Sequence, residues 1–98
     1  MMKRSNKRES LIENKLIQEV KKKGGLCEKW ISGTSGWPDR IVLLPSGKFG
    51  FVEVKAPGKK PRALQVERHK KLRSMGFQVY VLDNESQIGG ILDGIQAL

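Results

Sequence analysis

Apolar positions along the chain change period several times, and each change marks an element. Leu11, Ile12, Leu16, Ile17 and Val20 recur at the three-and-four spacing of an amphipathic helix. Ser10-Leu11-Ile12-Glu13 reads as a capping box that opens it, and Gly24-Gly25 ends it. Residues 26–31 form a short strand candidate, and 32–38, rich in Ser, Gly and Pro, a loop. The β-rich runs 39–44 and 48–55 flank Pro45-Ser46-Gly47 and predict a hairpin. After a loop at 56–61, a helix is expected over 62–75 with Gly76 just past its end. Residues 77–82 have the continuous apolar character of a strand buried on both faces. The last segment, 86–98, is apolar but broken by Gly89, Gly90 and Gly94, so its helical signal is the weakest. The order α-β-β-β-α-β-α predicts an α/β fold, a small mixed β-sheet flanked by helices. The crossover helix after the hairpin places the final strand parallel to a neighbour.

At 98 residues the chain accommodates one domain, expected over 9–98 behind a flexible basic arm at 1–8. So small a domain has little apolar area to spare, which makes a partner subunit a natural source of more. The single Cys27 excludes an internal disulfide and a cysteine zinc site, in keeping with a reducing compartment. No apolar run approaches the ~18 residues of a membrane span, and no signal-peptide core follows the basic start. The expected protein is soluble and cytoplasmic.

Charge sharpens the picture. Nineteen Lys and Arg against ten Asp and Glu give a net +9, which makes a polyanion the natural partner. The distribution is one-sided: Lys59, Lys60, Arg62, Arg68, Lys70, Lys71 and Arg73 follow the hairpin, and no Lys or Arg occurs after Gly76. A merely solvated surface is the plain alternative, but this asymmetry favours a basic face that meets nucleic acid.

The chemistry centres on Glu53-Val54-Lys55. Residues two apart on a strand share a face, so Glu53 and Lys55 lie side by side while Val54 turns to the core. A turn centred on Ser46-Gly47 sets position 39 across from 53 or 54, which brings Asp39 to Glu53. Two adjacent carboxylates repel unless a proton or cation separates them, and their oxygens suit Mg²⁺. Lys55 can then orient or deprotonate an attacking water, or stabilise phosphate oxygens. A simple cross-strand ion pair is the competing explanation.

Together Gly36-Trp37-Pro38-Asp39, the hairpin, Glu53-Val54-Lys55 and a downstream helix carrying Gln65 resemble the PD-(D/E)xK nuclease superfamily, and within it most closely the VRR-NUC domain. Glu13 matches that family's acidic residue in a leading helix, and Gly76 its Gly before the following strand. The likeness covers roughly residues 10–83. It implies a restriction-endonuclease-like core and a Mg²⁺- or Mn²⁺-dependent phosphodiesterase acting on structured DNA. Short stand-alone members resemble homodimeric resolvases of four-way (Holliday) junctions. On this resemblance Asp39, Glu53, Lys55 and Gln65 are the catalytic residues, with Glu13, Asp39 and Glu53 around the metal. Trp37, Lys59, Lys60, Arg62 and Arg68 are the expected DNA contacts.

Some residues have two readings. Glu13 either bonds back to its own helix N-terminus or, sharing a face with Leu16, Ile17 and Val20, points inward to support the metal. Gln65 either edges its helix or bonds the phosphate, the water or Lys55. His69, without a companion histidine, is expected to be partly buried or to touch phosphate rather than bind metal. Trp37 either stacks on a base or packs over the hairpin, while Trp30 and Tyr80 read as core. Two rival functions remain: a non-catalytic DNA- or RNA-binding module that keeps the fold, and a structural protein using the Gly-rich C-terminal segment as an interface.

Overall fold

The computed structural model describes residues 7–98, so most of the expected N-terminal arm lies outside the described residues. Helix α1 spans Lys7–Lys22 and is followed by strand β1 (Leu26–Lys29), the hairpin β2 (Arg40–Leu44) and β3 (Lys48–Val54), and helix α2 (Ala63–Ser74). Strand β4 (Val79–Leu82), a 3₁₀ turn at Glu85–Gln87 and helix α3 (Ile88–Ala97) complete the chain. The sheet order is β1-β2-β3-β4. The first two pairings are antiparallel and β3 runs parallel to β4, as the crossover through α2 requires. Among the described residues no helix is long and apolar enough to cross a membrane.

Strand alternation sorts the side chains into two layers. One face carries Val42, Leu44, Val52, Val54 and Leu82, which pack with Ile12, Leu16 and Val20 of α1 and Ile88, Ile91, Leu92 and Ile95 around α3. The other carries Phe51 and Val79 beneath Leu72 of α2, with Trp37, Ile41 and Phe49 alongside. Gly50 permits a close approach of α3 to the sheet, since a Cβ there would lie 2.7 Å from Ile95. The Gly-interrupted C-terminal segment is therefore a helix because of tertiary packing; burial of Ile91, Leu92 and Ile95 outweighs the glycines' weak propensity.

Two local expectations are corrected. Among the described residues helix α1 already runs from Lys7, upstream of the expected Ser10 capping box, so Ser10 lies within the helix and residues 7 and 8 are helical. Trp30 is not core: it is 39% exposed and lies against Trp37 at the start of the 30–39 loop.

Candidate active site

The hairpin register fixes the site. Arg40 pairs with Val52 and Leu44 with Lys48; one more step of that ladder sets Asp39 across from Glu53. The Asp39 carboxylate reaches the β3 backbone directly, with Oδ1 accepting from the Val54 N–H at 3.0 Å. Pro38 before it is fully buried. Gly36 has φ +90°, and a Cβ there would meet Leu64 O at 2.8 Å, so the loop lies against the first turn of α2. This is the physical reason for glycine two residues before the Pro-Asp pair.

Glu53 is 3% exposed and is held from two sides. Lys55 Nζ lies 3.3 Å from its Oε2, and Gln65 Nε2 donates to the same oxygen at 3.1 Å. Gln65 is itself fixed, because its Oε1 accepts the backbone N–H of Arg62 at the start of α2 at 2.8 Å. Helix capping and carboxylate support thus use the two ends of one amide. His69, one turn further along and 2% exposed, lies with Nε2 3.9 Å from Glu53 Oε1. Neither of these two buried atoms has a hydrogen-bond partner among the described residues.

The electrostatics follow from this crowding. Burial pushes the Asp39 carboxyl up to about 7, and the neighbouring Glu53 charge adds to the rise. Burial also raises Glu53, against the pull of Lys55. Burial lowers His69, helped by Arg73 and Lys55. Two carboxylates that disfavour their own charge, one with an unpartnered oxygen, form a donor set suited to a divalent cation.

Asp39, Glu53, Lys55 and Gln65 are therefore brought together as expected. Glu13 stands apart. Its Oε2 accepts from Arg40 Nε at 2.9 Å, and among the described residues no three His, Cys, Asp or Glu groups form a ready-made metal cluster. Of the expected DNA contacts, Lys59, Lys60 and Arg62 are exposed in the loop that leads from the site into α2. Trp37 and Arg68 are tied into the protein: the Arg68 guanidinium lies 5.6 Å from the Trp37 ring centre, and the indole N–H donates to Thr34 Oγ1. Trp37 also packs tilted on Trp30 and edge-on to Phe51, each at 5.9 Å.

Two residues of this region were not singled out from sequence for the roles they take. His69 faces Glu53, and the signal was its i,i+4 spacing from Gln65. Arg40, 8% exposed, also donates to Cys27 O at 3.3 Å; its signal was strand alternation, which turns it to the face opposite Asp39.

Known proteins resemble this chain in sequence and in fold. No protein-family model matches the chain. Over 79 residues it is 51% identical to "Putative nuclease p44" of Acyrthosiphon pisum secondary endosymbiont phage 1, covering 80% of this chain and 85% of that protein. A solved structure described as a VRR_NUC domain superposes with a TM-score of 0.83 at 31% identity, over 90% of this chain and 97% of its own. With most of both relatives covered, the chain belongs to the VRR-NUC family of nucleases.

Proposed function

We propose that this nuclease is a Mg²⁺- or Mn²⁺-dependent endonuclease that hydrolyses phosphodiester bonds in branched DNA such as four-way junctions, working as a homodimer. The observation that carries the reading is the buried Glu53. Two donors hold its Oε2, burial raises its carboxyl, and its charge helps to raise Asp39. A proton or a cation removes that mutual repulsion, and Mg²⁺ takes one or two carboxylates together with substrate phosphate. Asp39 and Glu53 would hold the ion, with Glu13 supporting from the Arg40 side. When bound, such an ion lowers the pKa of a water and offsets charge on the phosphate undergoing attack.

The chain's own groups do the rest. Lys55, on the strand face it shares with Glu53, directs an ammonium to the attacking water or to a non-bridging phosphate oxygen. Gln65 keeps Glu53 in place through its amide. Lys59, Lys60 and Arg62 meet the DNA backbone, and Trp37 with Arg68 shapes the adjoining wall. A second copy would supply a second site for a two-fold symmetric substrate, which one small chain cannot span alone.

The test uses the full chain, with light scattering to give its mass and synthetic four-way junctions, linear duplex and single strands as substrates. Junction cutting should require Mg²⁺ or Mn²⁺, stop with EDTA, and disappear in Lys55→Ala while junction binding persists. Salt-sensitive binding without any metal-dependent product would instead establish a non-catalytic binding module. Undiminished cutting by Lys55→Ala would overturn the mechanism.

A further inference from the structure

Helix α2 presents two polar side chains, one turn apart, to a single buried carboxylate. Gln65 already bonds Glu53 Oε2. His69 faces the other oxygen, with Nε2 3.9 Å from Oε1 and side-chain exposures of 2% and 4% for the two residues. Both atoms lack a hydrogen-bond partner among the described residues. Leaving a buried polar atom unpaired is costly, so two such atoms facing each other favour a small adjustment that joins them. A movement of about 1 Å brings the pair to the ~2.9 Å of an ordinary N–H···O bond.

We propose that His69 is a positioning residue, its Nε2–H donating to Glu53 Oε1 so that α2 grips both oxygens of the carboxylate through Gln65 and His69. The chemistry suits the task. A neutral imidazole N–H orients the carboxylate without cancelling its charge, whereas a second cation beside Lys55 would compete with the metal. Fixing the carboxylate plane also fixes which lone pairs face Asp39. Groups that orient a ligand in this way typically change metal affinity 10- to 100-fold when removed. The metal-affinity part of the proposal rests on the cation reading of Asp39 and Glu53; the hydrogen bond itself does not.

Two measurements test it. Nitrogen-15 NMR of the unsubstituted protein should find the His69 proton on Nε2; a bare Nε2 with the proton on Nδ1 would overturn the proposal. Calorimetric titration with Mn²⁺ in the absence of DNA should show about tenfold weaker binding in His69→Leu. His69→Gln, whose amide nitrogen reaches a similar point, should return affinity to within about threefold of the parent, and junction binding in EDTA should be the same for all three. A folded His69→Leu that binds Mn²⁺ as tightly as the parent would also overturn it. Should the parent take up no Mn²⁺, the cation reading fails, and the ring-nitrogen assignment still decides the role of His69.

Discussion

Arg40 and Glu13 are joined by a 2.9 Å ion-paired hydrogen bond on the face of the sheet opposite Glu53, so the adjacent Asp39 and Arg40 serve opposite faces. Asp39 enters the site, and Arg40 ties the same point of the strand to α1. Glu13 still contributes to the field at the site, since its charge is among those that raise Asp39. Its first structural duty is to balance a guanidinium whose side chain is only 10% exposed.

That duty predicts a stability cost for Glu13→Gln. Removing one partner of a well-buried pair leaves an uncompensated charge, worth 3–5 kcal/mol when burial is complete. Glu13 is 24% exposed, so a loss of about 2 kcal/mol is expected as a lower urea midpoint with unchanged slope. The double variant Glu13→Leu/Arg40→Met should recover most of it. An unchanged midpoint in Glu13→Gln would show that the pair carries no structural weight.

A second expectation concerns pH. The folded-state value of Asp39, about 7, lies above its ordinary 3.8, so the native state binds the proton more tightly than the unfolded chain. Its contribution is therefore fully present below pH 3.8 and is lost as pH rises to about 7. In EDTA, Asp39→Asn should lack this loss. It keeps the oxygen that accepts from Val54 and should be more stable than the parent at pH 8 by about 1 kcal/mol. Cleavage should vanish in the same variant. Parallel stability–pH curves for the two proteins would contradict the electrostatic account.

Much of this was legible in the chain because hairpin geometry is short-range. The two strands and the Ser46-Gly47 turn suffice to bring Asp39 to Glu53, and both turn residues adopt the positive φ such a reversal needs. Crossover logic likewise anticipated the parallel β3–β4 pair. Less legible was whatever depends on the layer an element covers. Glu13 shares a face with Leu16 and Val20, and periodicity cannot tell whether an inward carboxylate meets a metal or an arginine. The fold adds Arg40 as its partner, 27 residues away in sequence. The start of α1 is obscured for a related reason: Ser10 and Glu13 have capping-box spacing, yet the described helix extends past them to Lys7. Sequence alone does not assign Trp37 to DNA or to protein, because only the fold shows Arg68, Trp30 and Phe51 around its ring.

Cys27 should be chemically quiet. Burial pushes its thiol up to about 11, so at pH 8 almost none of it is thiolate, the form that reacts with alkylating reagents. Labelling of the folded protein should be slower by at least tenfold than labelling in urea, followed by mass spectrometry. Equal rates in the two states would mean that the β1 edge opens freely. The same shift predicts that stability declines as pH rises from 9 to about 11, because the native state holds the proton longer.

Gly36 and Gly33 separate backbone strain from loop composition. Both lie between β1 and β2, but only Gly36 combines a positive φ of 90° with a Cβ position 2.8 Å from Leu64 O, whereas a Cβ at Gly33 meets nothing within 4 Å. Gly36→Ala must either strain its backbone or push the loop away from α2, at a cost of about 2 kcal/mol. The push acts on Pro38 and Asp39, two and three residues on, and so on the carboxylate that bonds Val54. Cleavage of a junction should therefore fall about tenfold or more, since small displacements at a reacting centre are costly. Junction binding, carried by the exposed Lys59, Lys60 and Arg62, should change little. Gly33→Ala should leave stability within about 0.5 kcal/mol of the parent and cleavage unchanged. Equal behaviour of the two variants in denaturation and single-turnover cleavage would mean that the contact of the loop with Leu64 does not hold Asp39 in place.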